Sequence, residues 1–358
     1  MSFIDPTRTP REGEELDMEV VSAYLKENIP GLEGDLVVEQ FPSGHSNLTY
    51  LLRVGDTDLV LRRPPFGAKR IKAGHDMGRE YKILSRLSEV YPPAPKPLAF
   101  CTDESVMGAD FYVMERKKGI ILRKEPPKGL SIGPDVAGKL CKSLIDNLIA
   151  IHNVDYKAIG IGDLGKPEGF LTRQVIGWAE RYEKAQTDDV PEVEPVVKWC
   201  KQNIPESPPP TLIHNDYKLD NVVLDPNEIT HIVGVLDWEM STVGDPLLDL
   251  GVMLSYWVQK DDPEDLDMVR MVATNMEGGY TRREIVDRYA EKTGRDVSNL
   301  PFYFAFSLFK LAVIAQQIYY RYAKGFTKDE RFALMLPGVK IITKYALKVV
   351  ETGSLKFN

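Results

Sequence analysis

The sequence predicts an α+β protein of two lobes, a small one built on a five-stranded antiparallel sheet with one helix and a larger, mainly helical one. Short strand-like runs separated by polar turns fill the first third of the chain, and one stretch of helical period is inserted among them. After Gly119 the apolar residues recur mostly at helical spacing. A chain of 358 residues is also long enough for two lobes, each with its own core.

Residues 14–28 have the spacing of an amphipathic helix, with Leu16, Val20, Tyr24 and Leu25 on one side and Pro30-Gly31 as the stop. Val37–Phe41 reads as a strand leading into the loop Pro42-Ser43-Gly44-His45-Ser46-Asn47. Leu48–Val54 then turns at Gly55-Asp56 into Leu59–Arg62. From Asp76 to Val90 the period becomes helical, with Tyr81, Leu84 and Leu87 along one side, until Tyr91-Pro92-Pro93 ends it. Leu98–Cys101 and Phe111–Glu115 complete the five strands. Two short strands are expected inside 222–236, and Ser207–Pro210 is a stiff connector rather than a domain linker. The lobes are placed at 1–115 and 116–358. No internal repeat or low-complexity tract interrupts them.

With 43% hydrophobic and 27% charged residues the composition is that of an ordinary globular protein. A net charge of −8 argues against a broad surface for nucleic acid or for anionic membrane, both of which require clustered Lys and Arg. Cys101, Cys141 and Cys200 lie far apart without CxxC spacing, which suits a reducing compartment and offers no zinc site. The apolar stretch Phe302–Tyr320 is interrupted by Lys310, Gln316 and Gln317, so it reads as a buried helix rather than a membrane span. The first residues show no basic-then-apolar secretory pattern, and the expected location is cytoplasmic. Oligomeric state leaves no mark in the sequence.

The segment His214-Asn215-Asp216-Tyr217-Lys218-Leu219-Asp220-Asn221 matches the pattern H-x-D-x-x-x-x-N of a kinase catalytic loop. Phosphoryl transfer requires a cradle for phosphates, oxygen ligands for Mg²⁺ and a carboxylate beside the attacking hydroxyl. Asp216 is the candidate base, Asn221 a candidate metal ligand, and Lys218 a cation able to reach the γ-phosphate. Taken alone, the eight residues are equally a polar turn after the short strand Thr211–Ile213. Downstream, Ile232–Leu236 reads as a buried strand delivering Asp237, a second candidate metal ligand, where protein kinases carry D-F-G. Trp238 and Glu239 replace Phe and Gly. Glu239 is either a further metal-side carboxylate or a solvated one. Asp245 before Pro246 reads as a helix N-cap, and Asp249, set among leucines, needs donors such as the N–H groups of the catalytic loop.

In the small lobe, Gly44, Ser46 and Asn47 form a loop whose backbone can approach phosphate oxygens, although most such loops are plain hairpins. Arg62 ends the third strand where kinases keep a phosphate-binding Lys, with Glu80 on the next helix as its partner. Arg62 is either that phosphate contact or a structural ion pair, with Arg63 or Lys69 as alternatives. Met114, Glu115 and Arg116 end the fifth strand, where a hinge would meet the adenine ring.

LIHNDYKLDNVVLD and GVLDWEMSTVGDPLLDLG together resemble the aminoglycoside phosphotransferase family of kinase-like enzymes. More narrowly, SGHSNLTYLL, VLRRPP, GREYKILSRL, FYVMERKKGI and FYFAFSLFK resemble the phosphotransferase domain at the N-terminus of some acyl-CoA dehydrogenases and its free-standing bacterial relatives. The resemblance implies a two-lobed protein-kinase-like fold, ATP (or GTP) with Mg²⁺, and transfer of the γ-phosphoryl group to the hydroxyl of a small molecule. It assigns the base to Asp216 and the metal to Asn221 and Asp237. An Arg at position 62 is common in the narrower group, whereas Asn215 departs from the usual His-Gly-Asp. Family members phosphorylate antibiotics, choline, homoserine, sugars and hydroxyacyl compounds, so the acceptor is not inherited with the scaffold. The narrower likeness favours a hydroxyacid or hydroxyacyl-CoA, read by a helix carrying Arg173, Gln174, Trp178, Arg181 and Tyr182. An antibiotic phosphotransferase and a catalytically silent nucleotide-binding module are the alternatives.

Overall fold

A computed structural model describes residues 3–42, 47–66, 76–327 and 329–357. In chain order the elements are α1 (Met18–Asn28), β1 (Leu36–Gln40), β2 (Leu48–Val54), β3 (Thr57–Arg63), α2 (Met77–Leu87), β4 (Pro97–Cys101), α3 (Glu104–Met107) and β5 (Phe111–Glu115). Then come α4 (Pro134–His152), α5 (Phe170–Ala185), α6 (Val193–Gln202), β6 (Thr211–Ile213), β7 (Val222–Leu224), β8 (Ile232–Val235) and β9 (Thr242–Gly244). The chain continues with α7 (Pro246–Ser255), α8 (Asp265–Val269), α9 (Arg282–Thr293), α10 (Leu300–Ala323) and α11 (Met335–Thr352).

These elements form two compact units. The first comprises Met1–Ile121, Ala158–Ile161 and Asn221–Met240; the second comprises Leu122–Lys157, Gly162–Asp220 and Ser241–Asn358.

In the first unit the strands run antiparallel in the order β1-β2-β3-β5-β4. Strand residues alternate between faces, so Tyr50, Leu52, Leu59, Leu61, Phe111 and Val113 all face one side, where Val21 and Leu25 of α1 cover them. The opposite face carries Arg62 paired with Tyr112 and Val60 paired with Met114. Helix α2 packs against β4 and β5. The β7–β8 hairpin joins this unit through a bridge from Leu224 to Ile120. The approach is so close that a Cβ on Gly119 would lie 2.2 Å from the Leu224 carbonyl oxygen, so only glycine fits there.

The second unit is built around α10, which packs against α5, α6, α7 and α11. Phe302, Phe304, Phe306 and Phe309 are buried. Helix α10 is long and apolar enough to cross a membrane, but 67% of its most apolar window is buried inside the protein, as expected of a core helix. Gly251 lets α7 lie against α10: a Cβ there would meet the Tyr303 carbonyl oxygen at 2.8 Å and Ser307 Oγ at 2.9 Å. Strands β6 and β9 form a short antiparallel ladder on either side of the segment that the first unit takes up.

The first helix starts at Met18 instead of residue 14, because the Asp17 side chain accepts from the N–H groups of Glu19 and Val20 and fixes the N-terminus there. The turn-rich loop before β5 contains α3, capped by Asp103 and closed by Gly108 at φ 73°.

Candidate active site

The first unit gathers four charged groups on one face of its sheet. Arg62 leaves β3 with 8% of its surface exposed, and Glu80 on α2 is 1% exposed. Arg62 Nη1 donates to Glu80 Oε1 at 2.6 Å, and Nη2 donates to Asp237 Oδ1 at 3.0 Å. Glu239 Oε2 lies 3.5 Å from the same Nη2 and accepts from Asn47 Nδ2 at 2.6 Å. Burial works against the Arg62 charge, but Glu80, Tyr112, Asp237 and Glu239 together hold its pKa well above the ordinary value. Glu80 Oε1 also accepts from the Trp238 N–H at 3.1 Å, which ties α2 to the turn carrying Asp237. Asp237 has φ 68°, a left-handed conformation unusual outside glycine. The Asn221 carbonyl accepts from the Leu236 N–H at 2.8 Å, so Asn221 lies next to the residue before Asp237.

The oxygens of Asn221 and Asp237 are the hard donors that Mg²⁺ prefers. Two protein ligands suffice when phosphate oxygens and water complete the octahedron. Among the described residues no group of three or more His, Cys, Asp or Glu could hold a metal by itself. Residues and ion therefore fit only as a site shared with a phosphorylated ligand.

Not all the predicted nucleotide-side residues join this group. Met114 lies on the same sheet face as Arg62 and is 6% exposed. The Glu115 N–H is bonded to the Lys96 carbonyl at 2.9 Å, and its carboxylate pairs with Lys117 at 2.7 Å. Arg116 points to Asp58 at 2.9 Å and to the Asp5 carbonyl at 3.3 Å, a structural role within the first unit. Gly44 and Ser46 lie outside the described residues, as do His45, Lys69 and His75. Arg63 is 3% exposed, stacks on Phe66 at 3.6 Å and donates to the Pro64 carbonyl.

In the second unit β6 delivers His214, and the loop that follows is fixed by Asp249. One carboxylate oxygen of Asp249 accepts from the His214 N–H at 2.7 Å and the other from the Asn215 N–H at 2.6 Å. His152 Nε2 completes the arrangement at 3.2 Å, and its Nδ1 lies 2.8 Å from the Tyr289 hydroxyl. Burial alone would push the Asp249 carboxyl up, but His152, His214 and the loop amides hold it below its ordinary value. Ser241 Oγ donates to the Ile213 carbonyl at 2.7 Å, securing the end of β6.

Asp216 follows on this loop. Lys218 Nζ donates to Asp216 Oδ2 at 2.5 Å, and the Tyr256 hydroxyl lies 3.3 Å from Oδ1. Against burial, Asp216, Tyr256 and Asp220 keep Lys218 strongly protonated. Asp220 is pushed up to about 6, chiefly by burial. Asn215 adopts φ 65°, the left-handed region that a glycine would enter freely. Its side chain accepts from Lys310 Nζ at 2.7 Å.

Sequence reading did not find Tyr256, Lys310 or His152. They lie 40, 95 and 97 positions from Asp216, Asn215 and Asp249 respectively, and no local spacing links such distances. A lysine inside an otherwise apolar helix was the one available signal. On α5, Trp178 and Tyr182 are buried, and Trp178 donates to Gln174. Arg173 bonds the carbonyls of Glu168 and Lys166. Trp178, Gln174 and Tyr182 are thus engaged within the helix and its packing, whereas Arg173 and Arg181 are exposed, Arg181 stacking over Trp178 at 4.8 Å.

The sequence pattern of the phosphotransferase enzyme family matches residues 37–284. The chain is 35% identical over 343 residues to acyl-CoA dehydrogenase family member 11 of Rattus norvegicus, an alignment covering 93% of this chain and 43% of that protein. It therefore spans less than half the length of that relative. A solved structure from Ralstonia eutropha, assigned to the aminoglycoside phosphotransferases, shares 30% identity with a TM-score of 0.79, covering 94% of this chain and 99% of the other. A thermostable aminoglycoside phosphotransferase in ternary complex with ADP and hygromycin B has a TM-score of 0.60 at 12% identity, covering 92% of this chain and 97% of the other. At that identity the likeness concerns the fold alone.

Proposed function

Since the chain belongs to the phosphotransferase enzyme family, we propose that it transfers the γ-phosphoryl group of ATP (or GTP) to the hydroxyl of a small metabolite. The observation that supports this most is the arrangement around Asp216. Its carboxylate is presented on a loop secured by two buried hydrogen bonds to Asp249, with the Lys218 ammonium beside it. That is what a general base and a charge-neutralising cation require.

In the proposed reaction the acceptor hydroxyl hydrogen-bonds to Asp216. As its oxygen bonds to the γ-phosphorus, its proton passes to the carboxylate and the bond to the β,γ-bridging oxygen breaks, releasing the nucleoside diphosphate. Lys218 offsets charge on the transferring group. Asn221 and Asp237 would hold Mg²⁺, which neutralises phosphate charge when bound. Arg62, already oriented by Glu80, is the cation proposed to meet the nucleotide phosphates.

For the acceptor we favour a hydroxyacid or hydroxyacyl thioester over a polycationic aminoglycoside. The exposed Arg181 guanidinium on α5, stacked over Trp178, is a cation able to meet a negatively charged acceptor. The test is a panel of hydroxyacids, their CoA esters, choline and aminoglycosides incubated with γ-labelled ATP and Mg²⁺. Label on hydroxyacids or their thioesters supports the reading, and label on aminoglycosides alone overturns the acceptor choice.

A further inference from the structure

Lys310 is the one charged residue in the apolar stretch 302–320 of α10, and 5% of its surface is exposed. A buried ammonium ordinarily has a carboxylate partner. Among the described residues none lies within ion-pair distance of this one. Its Nζ donates instead to two oxygens of a single residue, Asn215 Oδ1 at 2.7 Å and the Asn215 carbonyl at 3.3 Å. The Trp178 ring lies 5.6 Å from the ammonium, and Asp216, Asp249, Lys218 and Arg181 act on it from beyond ion-pair distance.

Asn215 immediately precedes Asp216 and stands at φ 65°, a conformation most side chains reach only with strain. Glycine would enter it at no steric cost, and asparagine does so more readily than other residues. The two Lys310 contacts grip the amide oxygen and the backbone carbonyl of the same left-handed residue. From the other side, Asp249 holds the N–H of Asn215. The residue before the proposed base is thus fixed at its N–H, its carbonyl and its side chain.

We propose that Lys310 is a positioning residue for phosphoryl transfer, holding Asn215 in its left-handed conformation so that the Asp216 carboxylate is aimed at the acceptor. The proposal rests on Asp216 being the base. In this arrangement a buried cation does for asparagine what the absence of a side chain does for glycine. Lys310 acts through Asn215 and contacts neither nucleotide nor acceptor.

The experiment compares Lys310→Met, Asn215→Gly, Asn215→Ala and the double variant Lys310→Met with Asn215→Gly, using Mg·ATP with water as the phosphoryl acceptor. Asp216→Asn is run in parallel, and thermal melting establishes that each variant is folded. Lys310→Met is expected to lower kcat by about 10- to 100-fold, the scale of a misaligned reacting group, with KM for ATP unchanged. Introducing the glycine into the Lys310→Met protein is expected to restore kcat to the level of Asn215→Gly alone, because glycine needs no grip. Asn215→Ala, which keeps the lysine but loses the amide, is expected to fall below Asn215→Gly, and this comparison stands even if Lys310→Met does not fold. A double variant as slow as Lys310→Met would overturn the proposal, since the ammonium would then act directly. So would a Lys310→Met enzyme as fast as wild type, or Asn215→Ala matching Asn215→Gly. Full activity in Asp216→Asn would instead sink the assignment of the base, leaving a distinct signature.

Discussion

Asn215 and Asp237 are the two non-glycine residues at positive φ among those described, and each stands in a segment that the sequence marks for chemistry. Strained backbone persists where surrounding contacts over-determine it. Asn215 is gripped by Asp249 and Lys310, and Asp237 accepts from Arg62. The pattern around Asp216 was legible because its residues are close in sequence, and the Asp249 grip because a carboxylate set among leucines needs donors; the Lys310 grip was not, because it comes from a distant helix. The burial of Lys310 also makes a prediction about pH. Burial depresses its pKa to about 8, while Asp216 and Asp249 raise it and Lys218 and Arg181 lower it further. A lysine so depressed binds fewer protons folded than unfolded between about pH 8 and its ordinary value, so its stability penalty is full below that window and fades as pH rises through it. Denaturant titrations should therefore show wild type gaining about 2–3 kcal/mol of stability relative to Lys310→Met between pH 6 and pH 10, given 1.36 kcal/mol per pKa unit. A pH-independent difference would show that the ammonium is not desolvated. Arg62 makes a complementary case. Arg62→Met leaves Glu80 buried without its cation and should cost about 3–5 kcal/mol by chemical denaturation. Adding Glu80→Leu should recover much of that loss, and a double variant no more stable than the single would contradict the ion-pair account.

At the scale of elements, the loop carrying Asp216 depends on two helices that approach closely. Helix α7 carries Asp249 and α10 carries Lys310, and Gly251 is the point where their backbones meet. Gly251→Ala would place a Cβ 2.8 Å from a backbone carbonyl, which cannot rotate away. The helices must then separate, at about 1–3 kcal/mol, and both grips on Asn215 loosen together. The expected outcome is a lower melting temperature with a fall in kcat larger than the fall in nucleotide affinity. Unchanged kcat in a destabilised protein would show that the loop does not need the α7–α10 contact. Element type followed well because short apolar runs bounded by polar turns mark strands, whereas longer runs of 3.6 period mark helices. Element ends followed less well. The start of α1 was set by the Asp17 side chain rather than by the apolar pattern, and α3 was too short to show a period.

For the whole molecule, the α+β fold class was readable because order and period of elements suffice to name it, and the solved structure from Ralstonia eutropha shares it. Composition did not reveal that residues 221–240 leave the helical unit to join the sheet unit. That excursion depends on the glycine contact at Gly119 and the hairpin bridge to Ile120, both long-range. The acceptor is not readable from the scaffold, because the same fold serves many substrates. The central claim is that Asp216 activates a hydroxyl for attack on the γ-phosphate. The most direct measurement incubates γ-labelled ATP and Mg²⁺ with the hydroxyl panel, and compares wild type with Asp216→Asn by mass of the phosphorylated product. Wild type should place the label on an acceptor hydroxyl, and Asp216→Asn should do so about 10²- to 10⁴-fold more slowly. Equal rates in the two proteins, or nucleotide bound by wild type with no acceptor ever labelled, would contradict it.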